Sequence, residues 1–145
     1  ESVGQGRFHE LFGSEVWSRI GAEHDADIIV DQSGFPVAEG GICATARDLL
    51  RFGQMVLDDG RVEIGGTVEQ VVPASWFACY RDMWWVDDPV SGIFSANGIN
   101  GQHLTIHHPS RTVIAKLSVW PDRMDESAYA LSHAATLALC AELTG

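Results

Sequence analysis

Apolar positions recur along this chain with two different periods, and the change of period divides it. Phe8, Leu11, Phe12, Val16 and Ile20 fall on one side of a 3.6-residue repeat, so residues 8–20 read as an amphipathic helix bent near Gly13. The run HDADIIVDQSGFP, His24 to Pro36, is apolar in its middle and ends in a turn signal, which suits an extended segment. The clearest local pattern follows Gly40-Gly41. Thr45 is a good N-cap, Asp48 stands three residues on as a capping-box variant, and Leu49, Phe52, Gly53 and Val56 mark one helical face. Asp59-Gly60 ends that helix, and Pro73 opens the first turn of another short one.

Beyond residue 80 the period shortens. Met83–Val86 and Phe94–Ala96 read as strands. Gln102–His107 alternates, with Leu104 and Ile106 on one face and His103, Thr105 and His107 on a polar face that runs into a turn. Thr112–Trp120 reads as a strong strand. Ala128, Leu131, Ala135, Leu139 and Leu143 give a closing helix. Strands joined by short turns, with helices before and after, predict an α+β fold with an antiparallel sheet.

Composition changes this picture little. At 145 residues, 46% hydrophobic and 20% charged, the chain can bury a core and is the size of one domain or part of a larger one. Its formal net charge of -11 argues against a nucleic-acid partner and against docking on anionic lipid. No run of about 18 apolar residues is present, so no membrane helix is expected. The opening ESVGQGRFHE has no initiator Met and no signal-peptide pattern, so a processed or partial chain is expected. Cys43, Cys79 and Cys140 are odd in number and far apart, which predicts buried free thiols and a reducing, cytoplasmic setting.

The residues alone raise three kinds of chemistry. A metal site is disfavoured. His103 and His107 lie about 13 Å apart along an extended strand. Asp25, Asp27 and Asp31 lack the Gly and closing Glu of a calcium loop. No cofactor motif appears. A nucleophile is also missing: there is no G-x-S-x-G elbow and no Ser-x-x-Lys, and Cys43, ahead of a helix cap, reads as a packed thiol. The third candidate is ANGING, Ala96 to Gly101, where glycines beside a strand leave backbone N–H groups able to meet an oxyanion, or simply form a bulge.

GFPVAEGGICATARDLLRFGQMVLDDGR, then VVPASW, then FSANGINGQHLTIHHPSRTVIAKLSVWP together resemble the serine β-lactamase-like hydrolases, and within them the 6-aminohexanoate-dimer hydrolase and carboxylesterase branch. The resemblance runs from about Phe8 to Leu143. It implies the C-terminal portion of a β-lactamase/transpeptidase-like fold. Residues 1–80 would be the end of the helical subdomain with lead-in helices, and residues 81–145 the late strands and closing helix.

In such enzymes a Ser in Ser-x-x-Lys is acylated by a small amide or ester, and a Tyr shares the proton work. Neither motif is here, and Tyr80 and Tyr129 follow the RDLLRFG helix rather than precede it. The resemblance implies that Ala96-Asn97-Gly98 replaces the third motif without its basic residue. The Ile99 N–H, next to Gly98, would then be one oxyanion donor. Trp85, Asn97 and Asn100 would line the substrate pocket, with Asn100 standing where branch members often carry His. The expectation is a hydrolase portion inactive by itself, with a small-molecule substrate once completed. The alternative is a non-catalytic binding or partner module on the same scaffold.

Overall fold

The computed structural model describes residues 6–37, 40–72, 84–88, 90 and 92–144. The expected helix after Pro73 and the expected strand start at Met83 lie outside them. The chain forms two compact units, Glu1–Phe77 and Ala78–Gly145.

In the first unit, helix α1 (Phe8–Phe12) passes directly into a wider π turn, Gly13–Trp17, with Gly13 itself at right-handed helical angles. The π turn brings Trp17 inward, where its indole N–H donates to the His24 carbonyl at 2.8 Å. Strands β1 (Asp27–Ile28) and β2 (Ile42–Cys43) pair antiparallel. Between them Asp31 closes a tight turn, its Oδ1 accepting from the Ser33 and Phe35 N–H groups. Cys43 corrects one expectation: it is exposed, because Ile42 takes the inner side of this two-residue strand and Cys43 the outer. Cys140 is a buried free thiol, as expected, and burial, then Asp87, push its pKa up.

Helix α2 (Ala46–Leu57) begins where the capping pattern placed it. Thr45 is extended, and its hydroxyl accepts the Asp48 N–H at 3.1 Å. Its buried face carries Gly53, Met55, Val56 and Leu57. Gly60 ends it at φ +80, and a Cβ there would sit 1.9 Å from the Val72 carbonyl oxygen, so only glycine fits. A hairpin not predicted by the hydrophobic pattern follows, β3 (Arg61–Ile64) against β4 (Thr67–Gln70). Its apolar side chains are few and mostly exposed, Val68 at 66%, so periodicity gave little sign of it. The sign was chemical instead: Gly65-Gly66, both at positive φ, form the two-residue turn that hairpins favour.

The second unit is one antiparallel sheet in the order β5 (Trp85–Asp88), β6 (Ile93–Asn97), β7 (His103–His107), β8 (Thr112–Lys116). Helix α3 (Glu126–Glu142) follows, with the Asp125 carboxylate accepting the Ala128 N–H at its start. The fold is α+β. Two details correct the sequence reading. The strand expected to run to Trp120 stops at Lys116, because residues 117–120 leave the sheet to bind the turn after β6. The polar face of β7 is buried throughout: His103 packs on the Tyr129 ring of α3 at 5.4 Å, and His107 meets Ser110.

Candidate functional site

The candidate site grows from one strand. Register places Asn97 opposite His103 and His103 opposite Lys116, so these three share the face under α3. A bulge between Val86 and Asp88 in β5 inserts Asp87 as an extra residue. Asp87 Oδ1 lies 3.8 Å from His133 Nδ1 on α3, and the His133 ring stacks on Tyr129. Asn97 donates to the Tyr129 hydroxyl at 3.4 Å and accepts from Ser95 at 3.3 Å.

The electrostatics of this layer favour uncharged rings. Burial, then Lys116, pull the His103 pKa below the usual histidine range, while Asp87 opposes them. Burial, with Asp87, raises the Tyr129 phenol above its ordinary value. His107, two residues along the same face from Thr105, takes a separate partner, Ser110 Oγ at 2.6 Å from its Nδ1. Among the described residues no three His, Cys, Asp or Glu side chains gather as a metal ion requires.

Just past β6 the chain makes a short 3-10 turn, Ile99–Gly101. Gly98 is extended, and its N–H donates to the Gln102 carbonyl at 2.8 Å. Asn100 is left-handed at φ 57, a conformation that costs a non-glycine residue about 1 kcal/mol or more and persists only when neighbours hold it. They do. The Asn100 N–H donates to the Arg123 carbonyl at 3.0 Å, its carbonyl accepts from Trp120 N–H at 3.3 Å, and its side-chain amide donates to the Trp120 carbonyl at 3.0 Å. Gln102 accepts from the Ser118 N–H at 3.1 Å and donates back to the Ser118 carbonyl.

Among the described residues, no acceptor meets the Ile99 N–H, and Ile99 is 57% exposed. A backbone donor fixed on both sides and itself unpaired can bind an anion or a carbonyl oxygen without reorganising first.

The other sequence candidates are placed as follows. Gly98 and Ile99 form the turn itself. Asn97 and Asn100 flank it, but the hydrogen bonds of their amides run inward, to Tyr129 and Ser95 and to the Trp120 carbonyl. Trp85 pairs with Ser95 on β5 and is 59% exposed, whereas its neighbour Trp84 packs edge-on against Phe94. Residue-pattern reasoning missed Lys116 and Trp120. Lys116 Nζ donates to the Gly101 carbonyl at 3.1 Å and to Ser118 Oγ, and lies 4.7 Å from the Trp120 ring centre. The available signal was composition: Lys116 is the only lysine in the chain.

No family model matches the chain. It is 38% identical over 135 residues to the 6-aminohexanoate-dimer hydrolase of Paenarthrobacter ureafaciens, covering 80% of this chain and 34% of that protein. It also superposes, with a TM-score of 0.77 and 26% identity, on a solved structure from Bacillus anthracis whose own assignment as a 6-aminohexanoate-dimer hydrolase is provisional. That match covers 91% of this chain and 37% of the other. Sequence and fold therefore agree: over most of its length the chain is similar to the C-terminal portion of 6-aminohexanoate-dimer hydrolases, and it spans about a third of the length of the relatives it matches.

Proposed function

We propose that this chain is the C-terminal portion of a serine hydrolase that cleaves amide or ester bonds of small molecules through an acyl-enzyme. Its own contribution is an oxyanion donor, the Ile99 N–H. One observation carries the reading: this N–H is an exposed donor, with no acceptor among the described residues, beside an Asn100 held by its neighbours, in a chain similar to named hydrolases. As the tetrahedral intermediate forms, charge collects on the former carbonyl oxygen, and a donor already in place stabilises it more than it stabilises the substrate. The nucleophile is supplied from outside these 145 residues, since no Ser-x-x-Lys occurs among them. The chain by itself is then inactive. Trp85, exposed on β5, is a wall for the substrate's apolar part. Free thiols at Cys43 and Cys140 fit a cytoplasmic protein, and no helix among the described residues is long and apolar enough to cross a membrane.

The test is an Ile99→Pro substitution in the full-length protein, assayed on 6-aminohexanoate dimer and on a p-nitrophenyl ester. Proline fits the first position of a helical turn after an extended residue and deletes the N–H together with the isoleucine side chain, whose loss the alanine variant reports separately. A fall in kcat of about 10²- to 10³-fold is expected, with Ile99→Ala, which keeps the donor, near the parent. An unchanged kcat in Ile99→Pro overturns the reading.

A further inference from the structure

The residues that hold the Ile99 turn belong to a different stretch of chain, 116–123, and one of them dominates it. Gly101 is buried at φ +84, and a Cβ there would lie 2.3 Å from Trp120 Cε2, so the indole rests directly on bare backbone. The backbone of the same tryptophan binds the preceding residue twice, through its N–H to the Asn100 carbonyl and its carbonyl to the Asn100 amide. Lys116 closes the arrangement: its ammonium lies over the indole and donates to the Gly101 carbonyl. Trp120 therefore grips, with ring and main chain, the two left-handed residues that follow Ile99. None of these contacts reaches the Ile99 N–H itself.

We propose that Trp120 is a positioning residue for catalysis: braced by Lys116, it sets the direction of the Ile99 N–H and thereby the rate of the chemical step. The proposal rests on the reading of Ile99 as an oxyanion donor. The physical basis is the conformation of Asn100. A non-glycine residue at φ 57 relaxes towards commoner backbone angles when its partners are removed. Relaxation there turns the Ile99–Asn100 peptide, and the donor beside it, away from its present aim. Because the misdirected donor affects the intermediate more than the bound substrate, the loss falls on kcat and little on KM.

A double-mutant cycle in the full-length protein tests this. Trp120→Ala is expected to lower kcat by about 10- to 100-fold, the scale of a misplacement near 1 Å, with KM little changed. Trp120→Phe, which keeps a ring on Gly101, is expected to retain most of the activity. In the Ile99→Pro background, where no donor remains to aim, Trp120→Ala should change kcat by less than about twofold. Equal fold-losses in both backgrounds, or a loss confined to KM, overturn the proposal and make Trp120 ordinary packing. If Trp120→Ala does not fold, Trp120→Leu is taken through the same cycle with the same two outcomes. The two levels of the argument separate cleanly. If Ile99→Pro alone leaves kcat unchanged, the donor reading fails and the brace with it. If Ile99→Pro acts and the Trp120 losses multiply with it, only the brace fails.

Discussion

Two turns in this chain each open a helical segment, and they treat their polar groups in opposite ways. At Thr45–Asp48 every strong group is directed inward. The fully buried Asp48 carboxylate accepts the Glu23 N–H at 2.7 Å and the Thr45 hydroxyl at 2.8 Å, with Arg51 at 3.2 Å and His24 at 3.3 Å. The Glu23 N–H above all, with Thr45 and His24, holds the Asp48 carboxyl down at about 2. At Gly98–Gly101 no side chain caps the turn, Gly98, Asn100 and Gln102 are bonded, and the exposed Ile99 has an N–H that meets no acceptor among the described residues. The first arrangement ties residues 23 and 24 to helix α2, and nothing in it is free to react. The second is also held by hydrogen bonds and differs in presenting an unused donor on an exposed residue. Rigid polar clusters are therefore not equal evidence of function; the informative feature is the fixed group that the fold leaves unpaired.

Crossed substitutions sharpen the contrast. The largest effect belongs to Ile99→Pro, which should cost activity by the factor given above while leaving the melting temperature of the full-length protein close to the parent. The reverse pattern would place Ile99 with Asp48 as a structural residue. Next is Gly101→Ala. Its Cβ meets the Trp120 ring at a positive φ, and a loss of about 1–3 kcal/mol in stability is expected from overpacking and strain, read by urea titration together with a fall in kcat. Thr45→Ala should cost about 1 kcal/mol through loss of the helix cap, with kcat of the folded protein unchanged; a kcat effect there would blur the distinction between the two turns.

The smallest effects at neutral pH are those of protonation. Asp48 is held at about 2 in the fold against an ordinary 3.8, so its contribution is complete above 3.8 and disappears as pH falls towards 2. Denaturation curves between pH 4 and pH 2 should therefore shift more in the parent than in Asp48→Asn. His103 works in the same direction at higher pH. Its folded pKa is depressed below 6.5, so the stability it contributes is present above that value and lost as pH falls through it. A stability profile that is flat from pH 7 to pH 5 and does not respond to a His103→Gln change would contradict the burial of this ring.

Helix α2 was legible because its signals are local: a Thr cap, an Asp three residues on and one apolar face. Strands β6 and β7 were legible because alternation is local too. Domain-level reading by resemblance also pointed to the glycine turn, since Gly98 and Ile99 stand inside a recognisable block. The roles of His103 and His107 were not legible. Their alternation suits a wet face equally well, and partners outside the strand decide the matter: Tyr129 of α3 covers His103, and Ser110 bonds the buried His107. The hairpin at Gly65-Gly66 was legible in its turn residues and missed because its strands carry so little apolar weight.

By itself the sequence determined the α+β class, the start of α2 at its Thr cap, the antiparallel strands β6 to β8 and the closing helix from Asp125, together with the relationship to the hydrolases. These depend on contacts between residues a few positions apart, which periodicity and capping chemistry record directly. Only the tertiary structure decided where β8 stops, which face of β7 is dry and which donor of the ANGING turn stays free. Each of those outcomes is set by a partner far along the chain: Trp120 for Asn100, Ser118 for Gln102, Tyr129 for Asn97. A donor becomes available for chemistry only after every neighbouring acceptor has been taken, and that is a property of the packed molecule rather than of any stretch of its sequence.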